Sequence, residues 1–214
     1  MSSSPCTRST AEHLDMIPIH IAWNVGIPAG IFREDPPGPV NVEVVYATAR
    51  RPFHLLVTNG MSALSMRVPS RGGFDLTWAE LAICLPPDWR LDEESLDDER
   101  WYWPLRLLWQ ISRYVHENDR FIWFNHGFGW DDAKPLGPGV PFTSVFIVES
   151  SVLPERFASF RSDPVREIHF LSLCPILREE WEWAEANSPA ALAARLEERG
   201  VTDLVVPERP SVVG

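Results

Sequence analysis

The sequence predicts an α+β fold, a single domain in which a mostly antiparallel or mixed β-sheet is flanked by helices. Three observations predict it. The 214 residues are 45% hydrophobic and 23% charged, a composition and length suited to one soluble domain that buries roughly 70% of the surface its unfolded chain exposes. Between residues 40 and 85, short apolar stretches are joined by turn residues, so sequence neighbours pair. Helical patterns come after runs of strands instead of alternating strictly with them, which argues against a doubly wound sheet. No internal repeat or long linker divides the chain, so the domain is expected over 9–206, between a disordered tail at 1–8 and a C-terminal tail at 207–214.

Ser9 and Glu12 have capping-box spacing and predict a short helix before Ile17, with a second helical stretch over 20–25. A Pro/Gly-rich loop follows at 35–39. Residues 40–48 alternate, with Val40, Val42, Val44 and Tyr46 on a buried face and Asn41 and Glu43 on the other. Residues 53–58 form the next strand, and Asn59-Gly60 is a turn, since both residues tolerate positive φ. Residues 65–68 are expected to return as its hairpin partner, and Arg71-Gly72-Gly73 to turn again. The next strand, 77–85, carries Leu81, Ile83 and Leu85 on one face and stops at Pro86-Pro87. A long helix then places Leu105, Leu108, Ile111 and Val115 in one apolar stripe, with Pro104 in its first turn.

Residues 121–125 read as a short strand, 126–141 as a loop, and 143–149 as a central strand with no polar face. A strand over 166–173 is expected to be closed by Pro175. Two helices follow: 177–186, and one with Ser188 as N-cap, Pro189 at its first position and Gly200 as terminator. Residues 204–206 are apolar and expected to dock on the sheet.

The candidate chemistry is thin. His126 invites a general-base role with Asp131 or Asp132, but a histidine bonded to loop backbone is the better reading. His169 and Cys174 are five apart on one strand and face opposite ways, so they cannot form a nucleophile pair. There is no HExxH, paired-cysteine spacing, Walker loop or GxGxxG, so neither catalytic activity, a cofactor nor a metal is expected. Three cysteines with no shared spacing imply free thiols and a reducing compartment. No signal-like or membrane-spanning run occurs, and a cytoplasmic location is expected.

The net charge of −11 excludes an ordinary nucleic-acid binder and favours a basic protein partner. The charge concentrates at Asp88, Asp92, Glu93, Glu94, Asp97, Asp98 and Glu99, flanked by Trp89 and Trp101. These nine residues are the expected protein-binding patch, an acidic loop with aromatic edges. Of the ten tryptophans, Trp181 and Trp183 stand about 200° apart on a helix of 3.6 residues per turn, so one is expected to face outward.

Three segments stand out as a set: 58–66 (TNGMSALSM), 80–89 (ELAICLPPDW) and 103–115 (WPLRLLWQISRYV). Their order and wording resemble the suppressor-of-fused family. The likeness extends from about Val40 to Leu196 and takes in Asn125-His126-Gly127, 145–149, and 170–180 (FLSLCPILREE). The resemblance implies a compact α+β domain without enzymatic activity. The animal protein has two domains and clamps an extended peptide between them, whereas this chain looks like a bacterial member with the N-terminal domain alone. Bacterial single-domain relatives suggest an immunity or antitoxin protein that neutralises a toxin by direct binding. The alternatives are a regulatory or scaffold domain binding an endogenous peptide, and, further off, a hydrolase centred on His126.

Overall fold

The computed structural model describes residues 6–69, 76–130 and 134–214. The expected turn at 71–73 and the aspartates Asp131 and Asp132 lie outside them. Eight strands among the described residues, β1 (Gly30–Phe32), β2 (Asn41–Val45), β3 (His54–Asn59), β4 (Trp78–Leu85), β5 (Gly127–Gly129), β6 (Phe142–Val148), β7 (Ser159–Asp163) and β8 (Arg166–Leu177), form one mixed sheet. Its order is β1-β2-β3-β4-β8-β6-β5, with β7 also on β8. Every pair is antiparallel except β4 with β8. Because β4 and β6 both pair with Ser172, they occupy opposite edges of β8. The same reasoning at Ile168 and His169 puts β7 opposite β4, so β6 and β7 follow one another along a single edge of β8.

Five α-helices among the described residues flank the sheet: α1 (Cys6–Asn24), α2 (Glu93–Leu96), α3 (Glu99–Glu117), α4 (Arg178–Ala186) and α5 (Pro189–Glu198). On one face Leu81, Ile83, Leu85, Val145, Ile147, Leu171 and Leu173 pack on the α3 stripe of Leu105, Leu108, Ile111 and Val115. Each such side chain contributes about 1.5–3 kcal/mol by leaving water. The other face is shared. Ile17 and Ile21 of α1 cover Leu55, Val57, Ala82 and Cys84, while Ala184, Leu192 and Leu196 of α4 and α5 cover Phe146, Cys174 and Ile176.

The sheet departs from the sequence pattern at several places. Glu43, expected on a wet face of β2, is buried and accepts a hydrogen bond from Asn59 Nδ2 at 2.9 Å. Tyr46, expected in the core, lies past the end of β2 and is 40% exposed. Residues 65–68 are not a strand; β3 pairs instead with β2 and β4, and Met66 N–H reaches the Thr77 carbonyl. The aromatic run at 121–125 is irregular, and its neighbour 127–129 supplies the edge strand β5.

β8 does not stop at Pro175. That residue lies beyond Ser172, the last partner of β4, where one edge of β8 has no β4 ladder to donate to and a missing N–H is tolerated.

The helix boundaries also shift. α1 is one helix through Pro18, beginning upstream of the Ser9 capping box and inside the expected tail. α3 starts four residues earlier than expected because Asp98 caps it, accepting from Arg100 N–H at 2.9 Å, so Pro104 falls in the second turn. At α5 the Ser188 cap, Pro189 and the positive φ of Gly200 (69°) are all as expected. Residues 204–206 do dock, with Val205 N–H donating to the Cys84 carbonyl.

The last residues are not a tail. Glu180, fully buried, pairs with Arg209 through two contacts of 2.6 Å and accepts from Leu177 and Val212 N–H. That ion pair holds the C-terminal segment against α4.

Candidate protein-binding surface

The acidic stretch divides into two roles. After Pro86-Pro87 ends β4, Trp89 turns inward, where it is 7% exposed. There its indole N–H donates to the Trp101 carbonyl at 3.1 Å. The two rings meet edge to face at 5.4 Å, and Trp89 meets Trp103 in the same way at 5.8 Å. Trp89 is therefore a core residue rather than an aromatic edge for a partner; half-buried Trp101 is the one of the two that reaches the surface.

On this anchor sit two capped helices rather than the expected loop. Asp92 caps α2, accepting from Ser95 N–H at 3.0 Å and from the Ser95 hydroxyl at 2.7 Å, and these bonds hold its carboxyl below the usual range. Asp98 caps α3. Glu99 bonds Arg106 Nε at 2.6 Å. Asp88, Glu93, Glu94 and Asp97 are exposed and carry none of these duties. Trp89 lies inside rather than on the surface, and the exposed carboxylates without a capping or pairing role are those four.

His126 is exposed, and its Nδ1 accepts from Trp123 N–H at 3.2 Å. Partial burial lowers its pKa from the ordinary histidine value, and a ring nitrogen committed as an acceptor to backbone favours the neutral form. His169 packs on Trp123 at 4.8 Å on the α3 side of the sheet, and Cys174 is buried on the other side with its thiol pushed up to about 12 by desolvation. The two do not meet. Neither tryptophan of α4 projects free. Trp181 lies over Gly129, where an added Cβ would come within 2.7 Å of the ring, and Trp183 carries the Arg195 guanidinium at 4.4 Å. Among the described residues no group of three His, Cys, Asp or Glu is placed to hold a metal ion. No helix among the described residues is long and apolar enough to cross a membrane.

Two features escaped the sequence reading. One is a second stripe on α1, Met16, Ile19 and Trp23, continued by Ile27, which is exposed. Its three- and four-residue spacing was legible once 6–24 is taken as one helix. The other is a cavity at the junction of β6 and β7, lined from segments far apart in sequence.

Similarity to known proteins supports the fold. No curated protein matches in sequence. Among solved structures, a suppressor-of-fused homolog from Neisseria gonorrhoeae FA 1090 is 14% identical, with a TM-score of 0.68, covering 95% of this chain and 98% of that one. A chain of the Sufu–Fu complex aligns at TM-score 0.61 and 14% identity, over 93% of this chain and 91% of its own. Drosophila Suppressor of Fused aligns at 0.60 and 14% identity over 95% of this chain but only 51% of its own length. The family model for suppressor of fused protein matches residues 38–210, which contain every strand from β2 to β8, and the chain belongs to that family.

Proposed function

We propose that this protein is a non-enzymatic, cytoplasmic protein-binding domain that acts as an immunity protein, neutralising a basic toxin by direct occlusion. The observation that carries the reading is the cluster of Asp88, Glu93, Glu94 and Asp97, exposed carboxylates on a segment that the Asp92 and Asp98 caps and the Trp89 anchor hold in place, with the two glutamates on α2 itself. A rigid, predominantly acidic surface steers an oppositely charged partner and loses little entropy on docking. Family membership supports protein binding, since a related chain forms the Sufu–Fu complex, and the net charge of −11 supports a basic partner.

Co-expression with the product of an adjacent toxin-like gene tests the reading. Growth is restored and the two proteins co-purify if it holds; unchanged toxicity with no complex sinks it. A second reading is a scaffold that captures an endogenous peptide as an added strand. It is favoured by the short edge strands β1 and β5, whose outer backbone groups pair with no strand among the described residues. Recovery of a housekeeping protein in a pull-down, in place of a toxin, selects it.

A further inference from the structure

Where β6 hands over to β7 along the edge of β8, the covering helices leave a gap. α1 and the 3-10 turn Glu155–Phe157 close the sheet on one side of it, α5 on the other. The larger compartment, about 610 Å³, and a smaller one of about 150 Å³ adjoin, with Phe124, Glu149 and Ser150 in the lining of both, and together they make up the groove.

Its floor is apolar: Phe124, Val148, Leu153, Phe170 and Leu196. The polar groups at the base are already satisfied, since Asp203 is buried and accepts from Ser150 Oγ at 2.6 Å and Ser151 N–H at 3.0 Å. The rim is different. Glu149, Glu155 and Glu197 are exposed along it, no lysine or arginine lines either compartment, and none of the three glutamates pairs with a cation among the described residues.

An apolar trough with three unopposed carboxylates above it matches one kind of occupant. Successive side chains of an extended chain point to opposite sides, so a strand that alternates basic and apolar residues can set one row on the floor and bring the other to the glutamates. We propose that this groove takes an extended segment of a partner protein whose residues alternate between arginine or lysine and an apolar side chain. This rests on the protein-binding reading, but uses a surface separate from the acidic helices α2 and α3.

The test uses fluorescein-labelled synthetic decapeptides in an anisotropy titration with the full chain: alternating arginine and leucine, arginine and serine, and glutamate and leucine. The arginine–leucine peptide is expected to bind about tenfold or more tighter than either of the others, because both charge and apolar contact are needed. The combined variant Glu149→Gln, Glu155→Gln, Glu197→Gln lowers that affinity about tenfold, and these exposed substitutions leave the thermal transition in place. Ala193→Trp, which narrows the groove from α5 at unchanged charge, lowers it too. Replacing Glu93, Glu94 and Asp97 by their amides leaves it within about twofold.

Equal binding of the arginine–serine peptide, or equal losses from the two sets of amide variants, reduces the effect to diffuse attraction and overturns the proposal. Peptide binding without any neutralised toxin would remove the immunity role and leave the groove standing; toxin neutralisation without peptide binding does the reverse.

Discussion

The carboxylate of Glu80 accepts both the backbone N–H and the hydroxyl of Ser62, at 3.0 and 2.6 Å, with all of these atoms sealed from solvent. Thr58 Oγ1 and the N–H groups of Gly60 and Met61 complete the shell at 2.6, 3.1 and 3.2 Å. Glu80 thereby binds β4 to the turn after β3. The same turn is gripped from both helical layers, since His116 of α3 donates to the Met61 carbonyl at 2.9 Å and His13 of α1 to the Ser62 carbonyl at 3.2 Å. Gly60 has φ of 134°, and a Cβ there would stand 2.3 Å from the Pro39 carbonyl, so only glycine fits. Two of the three segments that mark the family are thus the two halves of one buried lock.

Ser62→Ala removes one donor from a buried, charged acceptor. It should lower unfolding free energy by about 1.5–3 kcal/mol, read as a fall in the urea midpoint at unchanged slope. Ser65→Ala, on an exposed neighbour, is the control and should be silent; equal effects would mean the hydroxyl of Ser62 is dispensable.

Glu80 also sets a pH dependence. Burial raises its pKa above the ordinary value, outweighing the hydrogen bonds from Ser62, Thr58 and Gly60 that pull it down. A carboxyl with a raised folded pKa contributes stability fully below the unfolded value, near 4.3, and loses it as pH rises through the folded one. The stability of the native chain relative to Glu80→Gln should therefore decline with rising pH from about 4.3 upward. A difference that grows with pH would show that the donors win.

Arg209→Met leaves the buried Glu180 carboxylate without its cation. Because the pair's side chains are 9% and 0% exposed, the loss should approach about 3–5 kcal/mol, measured by denaturant titration. Deleting 207–214 should be at least as damaging, and a silent truncation would show the segment to be a tail after all.

The acidic helices separate into caps and contacts. Asp92→Ala and Asp98→Ala should each lower the unfolding midpoint, since each removes a helix cap. Glu93→Lys, Glu94→Lys and Asp97→Lys together should leave the thermal transition nearly unchanged while weakening the proposed complex with a basic partner and reversing its salt dependence. If affinity and salt dependence both stay put, this surface is not the contact.

Cys84 and Cys174 should resist thiol reagents in the native state, since burial pushes both thiols up, Cys174 to about 12, and the thiolate is the reacting form. In a Cys6→Ser background, a chromogenic disulfide at pH 8 should label neither thiol until denaturant is added. Rapid labelling of either would place it in an open site.

The elements with strong local signals were legible. The α3 stripe, the Ser188-Pro189 start of α5 and the apolar run of β6 depend on periodicity and capping, which act within a few residues. Trp89 and Glu43 were misread for the opposite reason. Both sit in segments whose pattern marks them as edge or surface, and contacts with other elements bury them, Trp89 against Trp101 and Trp103 of α3 and Glu43 beside Asn59 of β3. Pro175 was misread as a strand end because the relief of one ladder edge depends on where β4 stops, almost a hundred residues earlier.

The sequence alone determined the class of fold, the family likeness and the absence of any familiar catalytic motif, because these rest on composition, local spacing and short motifs. The tertiary structure alone decided which carboxylates are free. Glu80 and Glu180 read in sequence like any others and are sealed in the core, Asp92 and Asp98 are spent on helix caps, and Glu149, Glu155 and Glu197 come from three separate elements to one groove. Charge is written residue by residue, but whether it faces water, a donor or a partner depends on contacts across the sheet that no local pattern records.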